Sequence, residues 1–112
     1  MPDFFIKKGD TNPKLVGTLV DEDGVVIDLT TAASVKFFMT DPGSGTNKVD
    51  GTAATILSPP TAGRVSYAWL VADVNVAADY DGEFEVTWND ASKTTFPNFR
   101  YIEIQIKADI GD

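Results

Sequence analysis

Apolar and polar residues alternate with period two along much of the chain, the pattern of strands with one buried face. In YIEIQIKA, residues 101–108, Ile102, Ile104, Ile106 and Ala108 share one side, and Tyr101, Glu103, Gln105 and Lys107 share the other. GEFEVTW sets Phe84, Val86 and Trp88 against Glu83, Glu85 and Thr87, and Asn89-Asp90-Ala91-Ser92 after it reads as a reversal. RVSYAWL alternates Val65, Tyr67 and Trp69 with Arg64, Ser66 and Ala68. SVKFFMT alternates Val35, Phe37 and Met39 with Ser34, Lys36 and Phe38. Shorter strands are expected at Phe4 to Lys7, Leu15 to Val20, Val25 to Asp28 and Ala53 to Leu57, each bounded by Gly, Pro, Asn or Asp. Strands about every 8 to 12 residues, with turn signals between them and no helical period, predict an all-β fold: an antiparallel β-sandwich of seven to eight strands filling residues 1–112 as one domain. LVADVNVAAD, residues 70–79, is the place for a single helical turn crossing between sheets.

The turns carry the first candidate chemistry. VDEDGVVIDL, residues 20–29, gathers acids around a glycine, but a calcium loop counted from Asp21 has Val25 and Val26 at its fifth and sixth positions and Ala32 where a bidentate acid belongs. Asp23-Gly24 reads instead as the two-residue tip of a hairpin joining Leu15–Val20 to Val25–Asp28. DPGSGTN, residues 41–47, has no GK[ST] ending and no following helix, so it reads as a mobile hairpin tip rather than a phosphate loop. Ser58-Pro59-Pro60 is a stiff connector, because proline cannot donate to a ladder.

Composition removes whole classes of function. The chain has no cysteine and no histidine, which excludes disulfides, thiolate metal sites and the usual general base. Seventeen acids against nine bases give a net charge of −8, which repels nucleic acid and anionic membranes. The N-terminus MPDFFIKKGD is not a signal peptide, and the expected place of synthesis is the cytoplasm. Glu83 and Glu85 stand about 7 Å apart by strand rise, within glycosidase range, but they belong to the polar face of an amphipathic strand. No catalytic residue, metal or cofactor is expected. Tyr80 precedes an alternating strand as a tyrosine corner does, with Val76 where an acid often stands, and its expected role is structural. Interfaces favour aromatics and arginine, so Phe96, Phe99 and Arg100 in the acid-free run KTTFPNFRY, and Phe5 and Phe38 opposite their strands' apolar series, are the candidate protein-interface residues.

An ordered series of motifs resembles the N-terminal domain of phage baseplate upper proteins, the BppU-type family. These are Lys8-Gly9-Asp10-Thr11, Asp23-Gly24, Asp28-Leu29-Thr30, Ser34-Val35-Lys36-Phe37, Gly63 to Trp69, Tyr80 ahead of Glu83-Phe84-Glu85-Val86, and Thr95-Phe96-Pro97-Asn98 leading into Tyr101-Ile102-Glu103-Ile104. The pattern departs from the family at Phe99-Arg100, where a glycine often precedes the final strand, and in ending at Asp112 without a downstream receptor-binding region. The resemblance implies an immunoglobulin-like virion module of the tail or baseplate, present in multiple copies and docking to other virion proteins. Decoration of the capsid exterior is the second hypothesis, and a cellular adhesion or carbohydrate-binding module the third. Neighbouring genes would separate them.

Overall fold

A computed structural model describes residues 2–97, 100–108 and 110. The chain is all-β. Its strands are β1 Phe4–Lys7, β2 Leu15–Thr18, β3 Ala32–Asp41, β4 Thr46–Ile56, β5 Arg64–Tyr67, β6 Ala78–Trp88, β7 Lys93–Phe96 and β8 Ile102–Lys107. Among the described residues helix is confined to single 3-10 turns at Pro60–Ala62 and Val71–Asp73, the second at the expected crossing.

The strands form one mixed, nearly closed sheet in the order β1-β8-β6-β3-β4-β5-β2, with β7 also paired to β6. This corrects the expectation of a purely antiparallel arrangement, because β1 runs parallel to β8 from Phe4↔Ile104 to Lys7↔Lys107. The parallel pair is pinned at its start by Asp3, whose amide donates to the Glu103 carbonyl while its Oδ2 accepts from the Glu103 amide at 2.9 Å. The sheet folds over on itself at β4, which pairs with β3 as far as Ala54 and then with β5 through Thr55 and Ile56. Phe37 of β3 and Tyr67 of β5 thereby meet across the interior with ring centroids 4.6 Å apart. Alternation works as the sequence predicts: Val35, Phe37, Met39, Phe84, Val86, Ile104 and Ile106 all point into one core.

Strand β4 begins well before the expected Ala53, because its first half buries only Val49 and therefore lacks an apolar alternation to read. Gly51, at φ +84°, is the extra residue between the Phe37↔Thr52 and Phe38↔Asp50 pairs, a bulge that needs a left-handed residue. The tip before β4 is held by its own bonds: Gly43 donates to Asp41 Oδ1 at 2.9 Å and Gly45 to the Asp41 carbonyl at 2.7 Å.

The acidic hairpin is a turn, but not the two-residue one expected. The Asp21 amide donates to the Val25 carbonyl and the Gly24 amide to the Asp21 carbonyl, both at 2.9 Å, so Glu22, Asp23 and Gly24 make a three-residue loop with Gly24 at φ +81°. Asp21 Oδ1 accepts from the Asp23 and Val25 amides, an Asx turn that selects this loop over a type I′ turn. After the turn the chain makes only a single bridge, Val20↔Val26, before Leu29 plugs the core. The same loop geometry recurs between β6 and β7, where the Trp88 amide bonds the Ser92 carbonyl and Ala91 takes the left-handed position at φ +72°.

Two buried hydroxyls fix the crossing from β5 to β6. Tyr67 donates to Asp73 Oδ2 at 2.6 Å, and the same oxygen accepts from the Leu70 amide at 2.9 Å. Tyr80 donates to the Val76 carbonyl at 2.9 Å, a tyrosine corner made without the acid.

Candidate protein interface

The five interface candidates do not form one surface. Phe96 is in the core at 3% exposure, a correction to its reading as an interface residue. It ends β7 directly opposite Phe84, and antiparallel partners share a face, so the inward position of Phe84 carries Phe96 inward with it. Phe99 lies outside the described residues. Arg100 is exposed, but it serves its own chain: Nη1 donates to Asp3 Oδ2 at 2.9 Å and to the Tyr101 carbonyl at 3.0 Å. Burial raises the Asp3 pKa, yet the Glu103 amide and the Arg100 guanidinium outweigh it and hold the carboxyl below its ordinary 3.8.

Phe38 lies half-buried on the outer face of the sheet, its ring covering bulge residue Gly51, where an added Cβ would stand 3.2 Å from the ring. With Tyr101, Asp81 and Glu83 it lines a shallow depression. Phe5 is about half exposed on β1, with the Lys107 ammonium 5.6 Å from its ring centroid. Glu83 and Glu85 project from this outer face too, and Lys93 Nζ stands 3.8 Å from Glu85 Oε1. Partial burial, and then the Glu85 charge, raise the Glu83 pKa above its ordinary 4.5. Among the described residues no three acids are grouped to hold a metal ion.

Two other surfaces are more apolar than any the alternation pointed to. The first is the crossing loop, where Leu70, Val71 and Val76 are each more than half exposed and Ala72 and Ala77 lie beside them in sequence, also exposed. Its one acid up to Ala77, Asp73, turns inward to Tyr67 and the Leu70 amide, so the exposed part of the loop carries no charge. The sequence held a signal for this: valines at 71, 74 and 76 fit neither strand nor helix period, and only Val74 is buried.

The second is a groove of about 200 Å³ where the sheet fails to close, between β2 on one side and Pro97 and Arg100 on the other. Residues Leu15 to Val20 form one wall, Pro97 and Arg100 the other, and Phe84, Phe96 and Ile102 supply apolar lining. Phe96 and Arg100 thus do come together, one as interior lining and one as rim. Neither a family model nor a curated protein matches this sequence.

Proposed function

We propose that this chain is a non-enzymatic, immunoglobulin-like docking module of a bacteriophage virion, serving the tail or baseplate by binding other virion proteins. The sandwich part of the reading is supported by strand order. With β2, β3, β5 and β6 taken as strands B, C, E and F, the sequence β3-β6-β8 follows the C-F-G layer, and β2-β5-β4 follows the B-E-D layer. Strand β4 passes from one layer to the other, which is what makes the sheet continuous. The Tyr80 corner at the start of β6 stands where such sandwiches carry theirs.

The observation that carries the docking role is the apolar surface of the loop from Leu70 to Ala77, which exposes no acid on a chain of net charge −8. Self-repulsion keeps such a domain dispersed, while a patch without acids gives a partner a place to bind. The family resemblance supplies the phage setting. The motifs that carry it are structural in this chain: Leu29 of the Asp28-Leu29-Thr30 step is buried, and the Gly9 amide of Lys8-Gly9-Asp10-Thr11 bonds the Val74 carbonyl.

Two measurements test the proposal. Antibody-gold labelling of phage particles that contain the chain should mark the tail or baseplate; labelling distributed over the head would favour capsid decoration, and no particle association would end the virion reading. Replacing Leu70 and Val71 together with serine should leave a folded domain that is missing from purified particles, whereas incorporation at wild-type occupancy would show that docking lies elsewhere.

A further inference from the structure

We propose that the outer edge of β2 is a strand-acceptor site, which takes up an extended, net-positive segment of another protein as an added β-strand. The inference starts from ladder parity. The Leu19 amide donates to the Gly63 carbonyl at 2.7 Å, continuing the register Leu15↔Tyr67 and Gly17↔Val65, so Leu15, Gly17 and Leu19 direct their main-chain groups toward β5. Val16 and Thr18 therefore direct their N–H and C=O groups the opposite way. That way lies the groove: every residue from Leu15 to Val20 lines it, as only the edge of a strand can. Unsatisfied strand edges are templates for pairing with another chain.

Among the described residues the strand edges without a neighbour differ in how they are protected: β4, flanked only by β3 from Thr46 to Ala54, carries Lys48, Asp50 and the Gly51 bulge. Strand β1 ends in Lys7 and is followed by Lys8, and β7 starts at Lys93 and is followed by Pro97; lysine and proline are the residues that ordinarily block edge pairing. Strand β2 reads LVGT, with neither charge nor proline inside it, Pro13 and Lys14 standing just before it, and Val16 is half exposed. An apolar edge with no blocking residue inside it, beside an apolar groove, is an aggregation hazard unless something covers it.

Size and charge choose the occupant. At about 200 Å³ the groove is smaller than sites for small organic ligands, typically ~300–1,000 Å³, but it accepts the side chains of an added strand. Its apolar lining of Phe84, Phe96 and Ile102 asks for apolar side chains at alternate positions. Its own charged residues, Asp3 and Arg100, pair with each other, so the −8 charge of the whole domain sets the sign of the field that an incoming segment meets. A second copy of this chain is repelled, and a basic segment is drawn in. This reading stands on the edge itself and holds whether or not the domain belongs to a phage.

The test uses the unaltered protein and a capped peptide, Lys-Val-Thr-Val-Lys-Val-Thr-Val-Lys, followed by amide hydrogen exchange. The peptide should slow exchange at Val16 and Thr18 tenfold or more, with no comparable change at Phe5 or Thr95 on the defended edges. Two N-methylated versions, one on the valines and one on the other residues, should separate cleanly. The version whose methyl groups face β2 should lose at least tenfold in affinity, and the other should bind like the parent. A charge-reversed peptide with Glu for Lys should bind at least tenfold more weakly. No protection at Val16 and Thr18 with peptide at millimolar concentration, equal behaviour of the two methylated versions, or equal binding of the charge-reversed peptide would each overturn the proposal.

Discussion

Replacing Tyr67 with phenylalanine removes one oxygen and tests whether the crossing loop is held by chemistry or only by packing. The hydroxyl is buried at 1% residue exposure and donates to a carboxylate that is itself 5% exposed, at 2.6 Å. Burial, followed by the nearby Asp73 carboxylate, pushes the phenol well above its ordinary pKa, so it remains a donor throughout the working range. A hydrogen bond to a charged group contributes roughly 1.5–3 kcal/mol, and Asp73 Oδ2 keeps its Leu70 amide partner in the variant, which places the loss at about 2 kcal/mol. For a domain of this size that is on the order of 10 °C in Tm, or about 1 M in urea midpoint. Urea unfolding followed by fluorescence should resolve it, since the Trp69 ring lies 5.3 Å from that of Tyr67. Asp73→Ala should cost more, because it removes the oxygen that both the hydroxyl and the Leu70 amide bond, whereas Asp73→Asn keeps an acceptor oxygen and should cost less. Combining Tyr67→Phe with Asp73→Ala should cost at least about 1 kcal/mol less than the sum of the two changes. A Tyr67→Phe loss below about 0.5 kcal/mol, or strict additivity in the cycle, would refute the account.

Three further outcomes follow from particular contacts. Gly82→Ala places a Cβ 2.7 Å from Ile104 Cδ1 and 3.1 Å from the Phe37 ring, so thermal unfolding should show a loss of about 1–3 kcal/mol, partly relieved by adding Ile104→Val, which removes the nearer atom. Ala91→Gly should stabilise by about 1 kcal/mol in the same assay, because Ala91 holds a left-handed backbone at φ +72° in the position that Gly24 fills in the matching loop. Glu83 has a raised pKa, so the folded state binds its proton more tightly than the unfolded chain; its penalty is absent below the ordinary 4.5 and develops as pH rises from there through the folded value. Glu83→Gln should therefore be more stable than the parent at neutral pH, with the difference vanishing below pH 4.5 in pH-dependent urea titrations.

Period-two alternation determined by itself which residues of the clearly alternating strands face the core, since a residue's side of a strand depends only on its parity. Val35, Phe37, Met39, Phe84, Val86, Ile104 and Ile106 were legible for that reason. The absence of cysteine and histidine, and the charge of −8, were equally plain and set the chemistry that the chain can carry. Pairing partners were not legible, because parity says nothing about which strand lies alongside: only the tertiary structure set β1 parallel to β8 and paired β4 first with β3 and then with β5. The candidate interface shows the same division. Phe96 looks exposed beside Pro97, and its pairing with Phe84 buries it. Arg100 looks free for a partner, and the N-terminal strand brings Asp3 to it across nearly the whole chain. The open edge of β2 could not have been read from LVGT, because whether a strand has one neighbour or two is a property of the assembled sheet, decided by contacts distant in sequence.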